Sequence, residues 1–195
     1  MSDVLPAEDP KLHALAEEDP VYGTFNKLLR LTRNEDDRGL VLGMAAFSED
    51  CLGQLLLAYL RPGKPSLDLL EGFNAPLGTL SARIKACAAI GLISEIQYTD
   101  LELSRKVRNE FAHKWEGCSL SDPAIALLVN RMSDSRISKA PPESLKAKFA
   151  ASMSSTLAEL LSLLHNINED GQRVPSVAFH LSLGPPPSDQ DEDAP

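Results

Sequence analysis

Residues 38–60 read RGLVLGMAAFSEDCLGQLLLAYL, and this stretch decides the fold. Apolar residues recur along it at positions 40, 44, 47, 51, 55 and 59. A spacing of three to four residues places these side chains on one face of an amphipathic α-helix. The segment RPGKP at 61–65 follows directly and is typical of a helix stop. The stretch therefore predicts one long helix that needs other helices to cover it.

The same period continues in the rest of the chain. Thr79 or Ser81 is a suitable N-cap for a second helix, and Gly91 is a suitable stop. Asp122 and Pro123 suit the cap and the first turn of a later helix. Further helices are predicted over 79–90, 94–115, within 118–132 and within 141–167. The pattern predicts an all-α bundle of about five to six helices.

The two ends of the chain differ in composition from the helical part. Residues 1–37 hold nine acids and four bases, and one helix is predicted there at 21–31. Residues 169–195 predict an extended, partly disordered acidic tail, in which 177–183 is either an isolated strand or a surface strap. The helical domain is predicted over 38–168, and the span 38–165 has a net charge of +1. The acidity of the chain therefore belongs to its tails.

Composition limits the class of protein and its cofactors. Cys51, Cys87 and Cys118 are odd in number and lie in no CxxC spacing, which argues against a disulfide framework or a zinc site. We predict no metal and no cofactor, and we interpret Cys51 and Cys87 as packing residues. The start, MSDVLPAEDP, does not resemble a secretory signal. The nearly unbroken apolar run at 40–47 is far shorter than the roughly 20 residues of a membrane span, so we predict a cytoplasmic protein with no membrane contact.

Direct binding to duplex DNA is not expected. Non-specific affinity for DNA grows with the number of phosphates that a protein neutralises, and the helical domain is nearly neutral. A helix-turn-helix reader needs a polar, basic recognition helix. The helix at 79–90 offers only Arg83 and Lys85, and the segment PAIALLVNRM at 123–132 is too apolar for a groove.

A candidate site lies in residues 105–117, which read RKVRNEFAHKWEG. Arg108 could hold a phosphate with its planar guanidinium, His113 could move a proton near neutral pH, and Asn109 could orient either group. With a ribose 2′-hydroxyl as the nucleophile, this chemistry needs no metal. The alternative is that Arg108 pairs with Glu102 or Glu110 and that His113 only ends the helix, where a cation is favoured.

The segment RNEFAH matches the R-[polar]-x-x-x-H signature of the HEPN superfamily, a group of small all-α domains. The longer block PLGTLSARIKACAAIGLISEIQYTDLELSRKVRNEFAH resembles the central block of the mannitol operon repressor family. The similarity runs over about 39–164. It implies a HEPN-like helical bundle, a homodimer, and a regulatory role around sugar-alcohol uptake genes. A symmetric dimer would bring two copies of Arg108 and His113 into one cleft.

Two further residues are assigned as supporting members of the candidate site. Arg83 matches the arginine of the family block, and it either extends a phosphate-binding patch or solvates its own helix. Glu49 interrupts an apolar helix, and as a buried acid it would pair with Arg108 or Arg83 and orient that arginine.

These observations leave three hypotheses for the function. The first is a non-enzymatic regulator of transcription that acts as a dimer through a protein partner or RNA. The alternative is a metal-independent endoribonuclease that uses Arg108 and His113. The third is an antitoxin-like or partner-binding half of a two-gene system.

Overall fold

The computed structural model describes residues 20–114, 116–137, 141–171 and 173–174. Within these ranges the chain is all-helical, with no strand, which confirms the predicted all-α bundle. The predicted strand or strap at 177–183 lies outside the described residues. The helices are α1 (Pro20–Thr32), α2 (Asp37–Tyr59), α3 (Lys64–Leu70), α4 (Leu80–Ala89), α5 (Glu95–His113), α6 (Pro123–Asn130) and α7 (Leu145–Asp170).

Helix α2 is the centre of the bundle and contacts α1, α3, α4, α5 and α7. It matches the helix predicted over 38–60 to within one residue at each end. By length and apolar composition alone α2 could cross a membrane, yet 56% of its most apolar window is buried inside the protein. Its apolar surface is therefore used by the core, and the buried thiols of Cys51 and Cys87 are part of that core. Burial raises the pKa of each of these two thiols to about 12, which fits their interpretation as packing residues.

The helix ends follow the local signals in the sequence. The Thr79 hydroxyl accepts a hydrogen bond from the Ala82 amide at 3.2 Å, so Thr79 is the N-cap of α4. Gly91 adopts a positive φ of 76° just after α4, as its predicted role as a stop requires. Asp122 occupies the N-cap position of α6 and Pro123 its first turn, although the Asp122 side chain makes no capping hydrogen bond.

Helix α3 was not predicted, because RPGKP was interpreted only as a stop. The stop is real, since α2 ends at Tyr59, but Pro65 then occupies the first turn of a short new helix, where its missing N–H costs nothing. At the other end of the chain, α1 includes the helix predicted at 21–31 and packs on α2 and α7. The rings of Phe25 and Phe47 lie 6.3 Å apart, centroid to centroid, where α1 meets α2.

A buried polar network holds the first half of α5 against α7. The Asp100 side chain is only 1% exposed, and its carboxylate accepts hydrogen bonds from the Ser133 amide at 2.8 Å and the Ser133 hydroxyl at 2.5 Å. The Arg136 guanidinium donates to Asp100 at 3.2 Å and to Glu159 at 2.7 and 3.0 Å. Burial alone would raise the pKa of Glu159, but the hydrogen bonds from Arg136 and Gln97 lower it below its usual value. A charge buried in this way is stabilised only because it is paired.

Candidate functional site

The carboxyl end of α5, which carries the candidate site, is fixed by the first turn of α2. The Arg38 guanidinium donates to the main-chain carbonyls of Phe111 at 2.6 Å and Lys114 at 2.5 Å. These carbonyls belong to the last turn and the C-cap of α5, where such groups lack partners inside the helix. The Asp37 carboxylate accepts from the Ser119 hydroxyl at 2.9 Å and from the Leu120 amide at 2.8 Å. One turn of α2 therefore positions both the end of α5 and the loop that follows it.

The Arg108 and His113 side chains are exposed at this end, and Asn109 is half-buried. Arg108 Nη1 donates to Asn109 Oδ1 at 3.3 Å. In the described ranges Arg108 forms no ion pair, and His113 has neither an ion pair nor a hydrogen bond through its imidazole. The other four of the five N–H donors of the guanidinium have no hydrogen-bond partner among the described residues.

The two acids proposed as alternative partners of Arg108 are occupied elsewhere. Glu102 accepts from Arg105 at 3.1 and 2.8 Å, and Glu110 pairs with Lys114 at 3.0 Å. The interpretation of Arg108 as half of an ion pair with Glu102 or Glu110 was therefore wrong.

Helix geometry separates the two candidate catalytic groups. Residues five positions apart on an α-helix differ by about 140° around the axis and about 7.5 Å along it. The Arg108 head group turns toward Asn109, which lies between Arg108 and His113 around the helix. Arg108 and Asn109 are in contact within one chain. That Arg108 and His113 converge on one ligand stays a prediction, and it requires a second copy of the chain in a dimer.

Cations from α5 and α4 surround Glu102. The hydrogen bond from Arg105 lowers the pKa of Glu102, and the charges of Arg105, Lys106 and Lys85 lower it further. Lys85 and Lys106 are exposed and make no ion pair in the part of the chain that the structure describes. The unpaired charges of Lys85 and Lys106 would add to the attraction of Arg108 for an anionic ligand.

Arg83 has a structural role in this geometry. Its guanidinium donates to three main-chain carbonyls, those of Leu77 at 2.9 Å, Glu49 at 2.6 Å and Leu70 at 3.3 Å. Gly53 leaves the room that this requires, since a Cβ at that position would lie 2.7 Å from Arg83 Nη1. With three donors committed to the main chain, Arg83 ties α4 to α2 and α3.

Glu49 contacts Arg83 through its main-chain carbonyl, whereas the expected pairing used its carboxylate. Glu49 is half-buried and forms no ion pair with Arg83 or Arg108 among the described residues. The described residues also contain no group of three or more His, Cys, Asp or Glu side chains placed to hold a metal ion.

Comparison with known proteins shows a shared fold. No family model matches the sequence, and no curated protein matches it significantly. A chain in the X-ray structure of the MtlR–HPr complex from Escherichia coli matches with a TM-score of 0.53 and 22% sequence identity. The match covers 74% of this chain and 98% of that chain. The protein therefore has an MtlR-like fold, and its relation to the HEPN superfamily stays a prediction.

Proposed function

We propose that this chain is a regulatory protein that acts by binding a protein partner, as a homodimer of the mannitol-repressor type in control of sugar-alcohol uptake. The observation that carries the proposal is the fold that it shares with nearly the whole matched chain of the MtlR–HPr complex. MtlR is a mannitol operon regulator, and its complex with HPr makes an HPr-like protein the first partner to test.

The distribution of charge supports a protein partner over direct reading of duplex DNA. Arg83 is committed to main-chain carbonyls, which leaves Lys85 as the basic side chain of α4 available to a ligand. Helix α6 has no charged residue, and Ile125 and Val129 on it are buried. Neither helix is a polar, basic reader of the kind that enters a major groove.

Size-exclusion chromatography with light scattering tests the partner and the homodimer together. With E. coli HPr added, the chain should elute as a complex heavier than either component, and alone it should elute at twice 21.2 kDa. Separate elution of the two proteins at about 100 µM each would show that any Kd is weaker than the micromolar range of signalling pairs and would reject HPr as the partner.

A gel-shift assay at low salt addresses DNA. The proposal predicts only weak binding without sequence preference, which disappears as salt rises because it depends on counterion release. Tight binding to the protein's own upstream region that exceeds binding to a shuffled fragment would show a DNA reader and contradict this part of the proposal.

One observation favours a second candidate, a metal-independent endoribonuclease. Arg108 and His113 are exposed and free of carboxylates in the described structure, as a phosphate site requires. In a dimer, Arg108 would bind the phosphate and His113 would transfer a proton. Purified protein should then cleave RNA in EDTA, and His113→Ala should slow cleavage by about 100-fold or more. Intact RNA, or cleavage that survives His113→Ala, would reject the enzyme.

A further inference from the structure

The side chain most exposed among the large apolar residues of the described structure is Phe73, at 98%. It lies in residues 71–76, which we call the Phe73 loop, between α3 and α4. Two neighbours on α3, Leu67 and Leu69, are also exposed, at 44% and 37%. A phenylalanine held fully in water is unusual in a folded domain, because burial of its ring is favourable.

Two backbone conformations in the Phe73 loop place this ring at the outside of a sharp turn. Gly72 and Asn74, the residues on either side of Phe73, both adopt positive φ, 98° and 63°. These conformations suit glycine and asparagine, and they turn the chain sharply on both sides of the aromatic residue. Phe73 therefore stands at the tip of the loop.

Hydrogen bonds close the base of the Phe73 loop. The Leu77 amide donates to the Leu69 carbonyl at 2.7 Å. The Arg83 guanidinium adds hydrogen bonds to the carbonyls of Leu70 and Leu77, one on each side of the loop. Since the two ends of the loop are joined directly and through Arg83, the loop is preorganised, and binding through it needs little further ordering.

Acidic groups adjoin the base of the loop. Glu71 is exposed and belongs to the loop. The same Arg83 guanidinium also binds the Glu49 carbonyl. The main chain of Glu49 and Asp50 is therefore held next to the base of the loop. None of the three carboxylates forms an ion pair in the described residues. Among the nearby cations, the Arg83 guanidinium is bound to main-chain carbonyls at the base of the loop, and Lys64, seven residues before Glu71, pairs with Asp68.

We propose that the Phe73 loop docks the protein partner, and that the partner offers an apolar pocket for Phe73 with Lys or Arg side chains at its rim. This inference rests on the proposed function, which makes that partner HPr-like. Aromatic anchors that enter a pocket dominate the affinity of protein interfaces, and opposite charge at the rim fixes orientation and speeds association. A second copy of this chain is a worse occupant, because a two-fold contact there would bring the acidic groups of both copies together.

Fluorescence anisotropy with labelled E. coli HPr tests the inference on the full chain. Phe73→Ala should weaken binding by about 30-fold or more, as loss of an aromatic hot spot does. Glu71→Lys should weaken it by about 3- to 10-fold and reduce its dependence on salt.

Leu127→Ala is the matched control, because Leu127 is 68% exposed on α6, which does not contact α2 or α3. The affinity of this variant for HPr should equal that of the wild type. Because Phe73 makes little contact with its own chain, the urea midpoint of Phe73→Ala should match that of the wild type.

The outcomes separate this inference from the proposed function. If HPr binds the wild type and Phe73→Ala equally, the docking surface lies elsewhere, while the proposed function stands. If HPr does not bind the wild type, the proposed partner and the inference both fail. If Phe73→Ala instead converts a dimer of the wild type into a monomer, the loop binds a second copy and the inference is wrong. Tighter binding by Glu71→Lys would overturn the basic rim.

Discussion

The two halves of α5 use ionisable side chains in opposite ways. In the first half, Asp100 is buried and bound by Ser133 and Arg136 under cover of α7. In the last turns, Arg108 and His113 face solvent, and Arg108 contacts only Asn109 through its side chain in the described structure. Both regions carry ionisable side chains. They differ in their cover, because α7 and the segment after α6 lie over Asp100, whereas no described element covers Arg108 or His113.

The arginines of the bundle repeat this contrast. Arg38 and Arg83 bind main-chain carbonyls, and Arg136 binds two carboxylates. Each of these three joins helices that are distant in sequence, whereas Arg108 joins none. An exposed guanidinium that joins no helices is the group most available to a ligand.

The largest effect is expected from Arg136→Ala. The change leaves the buried Asp100 carboxylate with only hydroxyl and amide donors, and it removes both hydrogen bonds to Glu159. The free energy of unfolding should fall by about 3 kcal/mol, measured by urea denaturation. Arg131→Ala is the control, since Arg131 is exposed and its side chain forms no hydrogen bond or ion pair in the described residues; it should change stability by less than about 0.5 kcal/mol. Equal effects of the two variants would contradict the structural role of Arg136.

The next effect concerns Arg83 and Gly53. Gly→Ala inside a helix normally stabilises by up to about 1 kcal/mol, but here the new Cβ would lie 2.7 Å from Arg83 Nη1 and push it off the Glu49 carbonyl. Gly53→Ala should therefore destabilise the wild type by about 1 kcal/mol. In the Arg83→Ala background the same change should become stabilising, because the obstructing group is gone. The same sign in both backgrounds would contradict the structural role of Arg83.

A smaller effect is expected from pH. The folded-state pKa of Glu159 is lowered. The stability that its carboxylate contributes is therefore fully present above the unfolded-state pKa of about 4.3. This stability is lost as the pH falls through the lowered folded-state pKa. Glu159 is 37% exposed, so solvent screening limits this contribution to about 0.5–1 kcal/mol. Glu159→Gln should flatten the decrease of the unfolding free energy between pH 5 and pH 3. A decrease as steep as that of the wild type would assign the acid sensitivity to other groups.

The smallest effect on stability is expected at the candidate site. Arg108→Ala and His113→Ala remove exposed side chains without ion pairs, so each should change the unfolding free energy by less than about 0.5 kcal/mol in urea denaturation. A loss above about 1 kcal/mol in either variant would show that the residue is structural, like Arg136, and would remove the contrast between the two halves of α5.

The sequence predicts the long elements of this fold well and its tertiary contacts poorly. Helices α2, α4 and α5 have strong apolar periods and local caps such as Thr79, so their positions follow from residues close in the chain. Helix α3 is only seven residues long and follows two stop signals, which leaves it too little pattern to be predicted. Asp100 and Arg136 are 36 positions apart, and no local pattern links them.

The candidate site shows the same limit. The R-x-x-x-x-H spacing places Arg108, Asn109 and His113 on one helix, and the structure confirms that placement. The sequence could not predict that Glu102 and Glu110 pair with Arg105 and Lys114, because several partners were equally close along the helix. Nor could it predict that Arg83 would bind carbonyls from three different segments. Phe73 gave no signal at all, since an isolated aromatic residue is normally predicted to be buried.

Calorimetric titration of E. coli HPr into the wild-type chain tests the central claim, that this protein works by binding a protein partner. We expect saturable heat at a fixed stoichiometry, with a Kd of about 10 µM or tighter. No saturable heat up to about 100 µM HPr, a concentration that would reveal any such Kd, would contradict it.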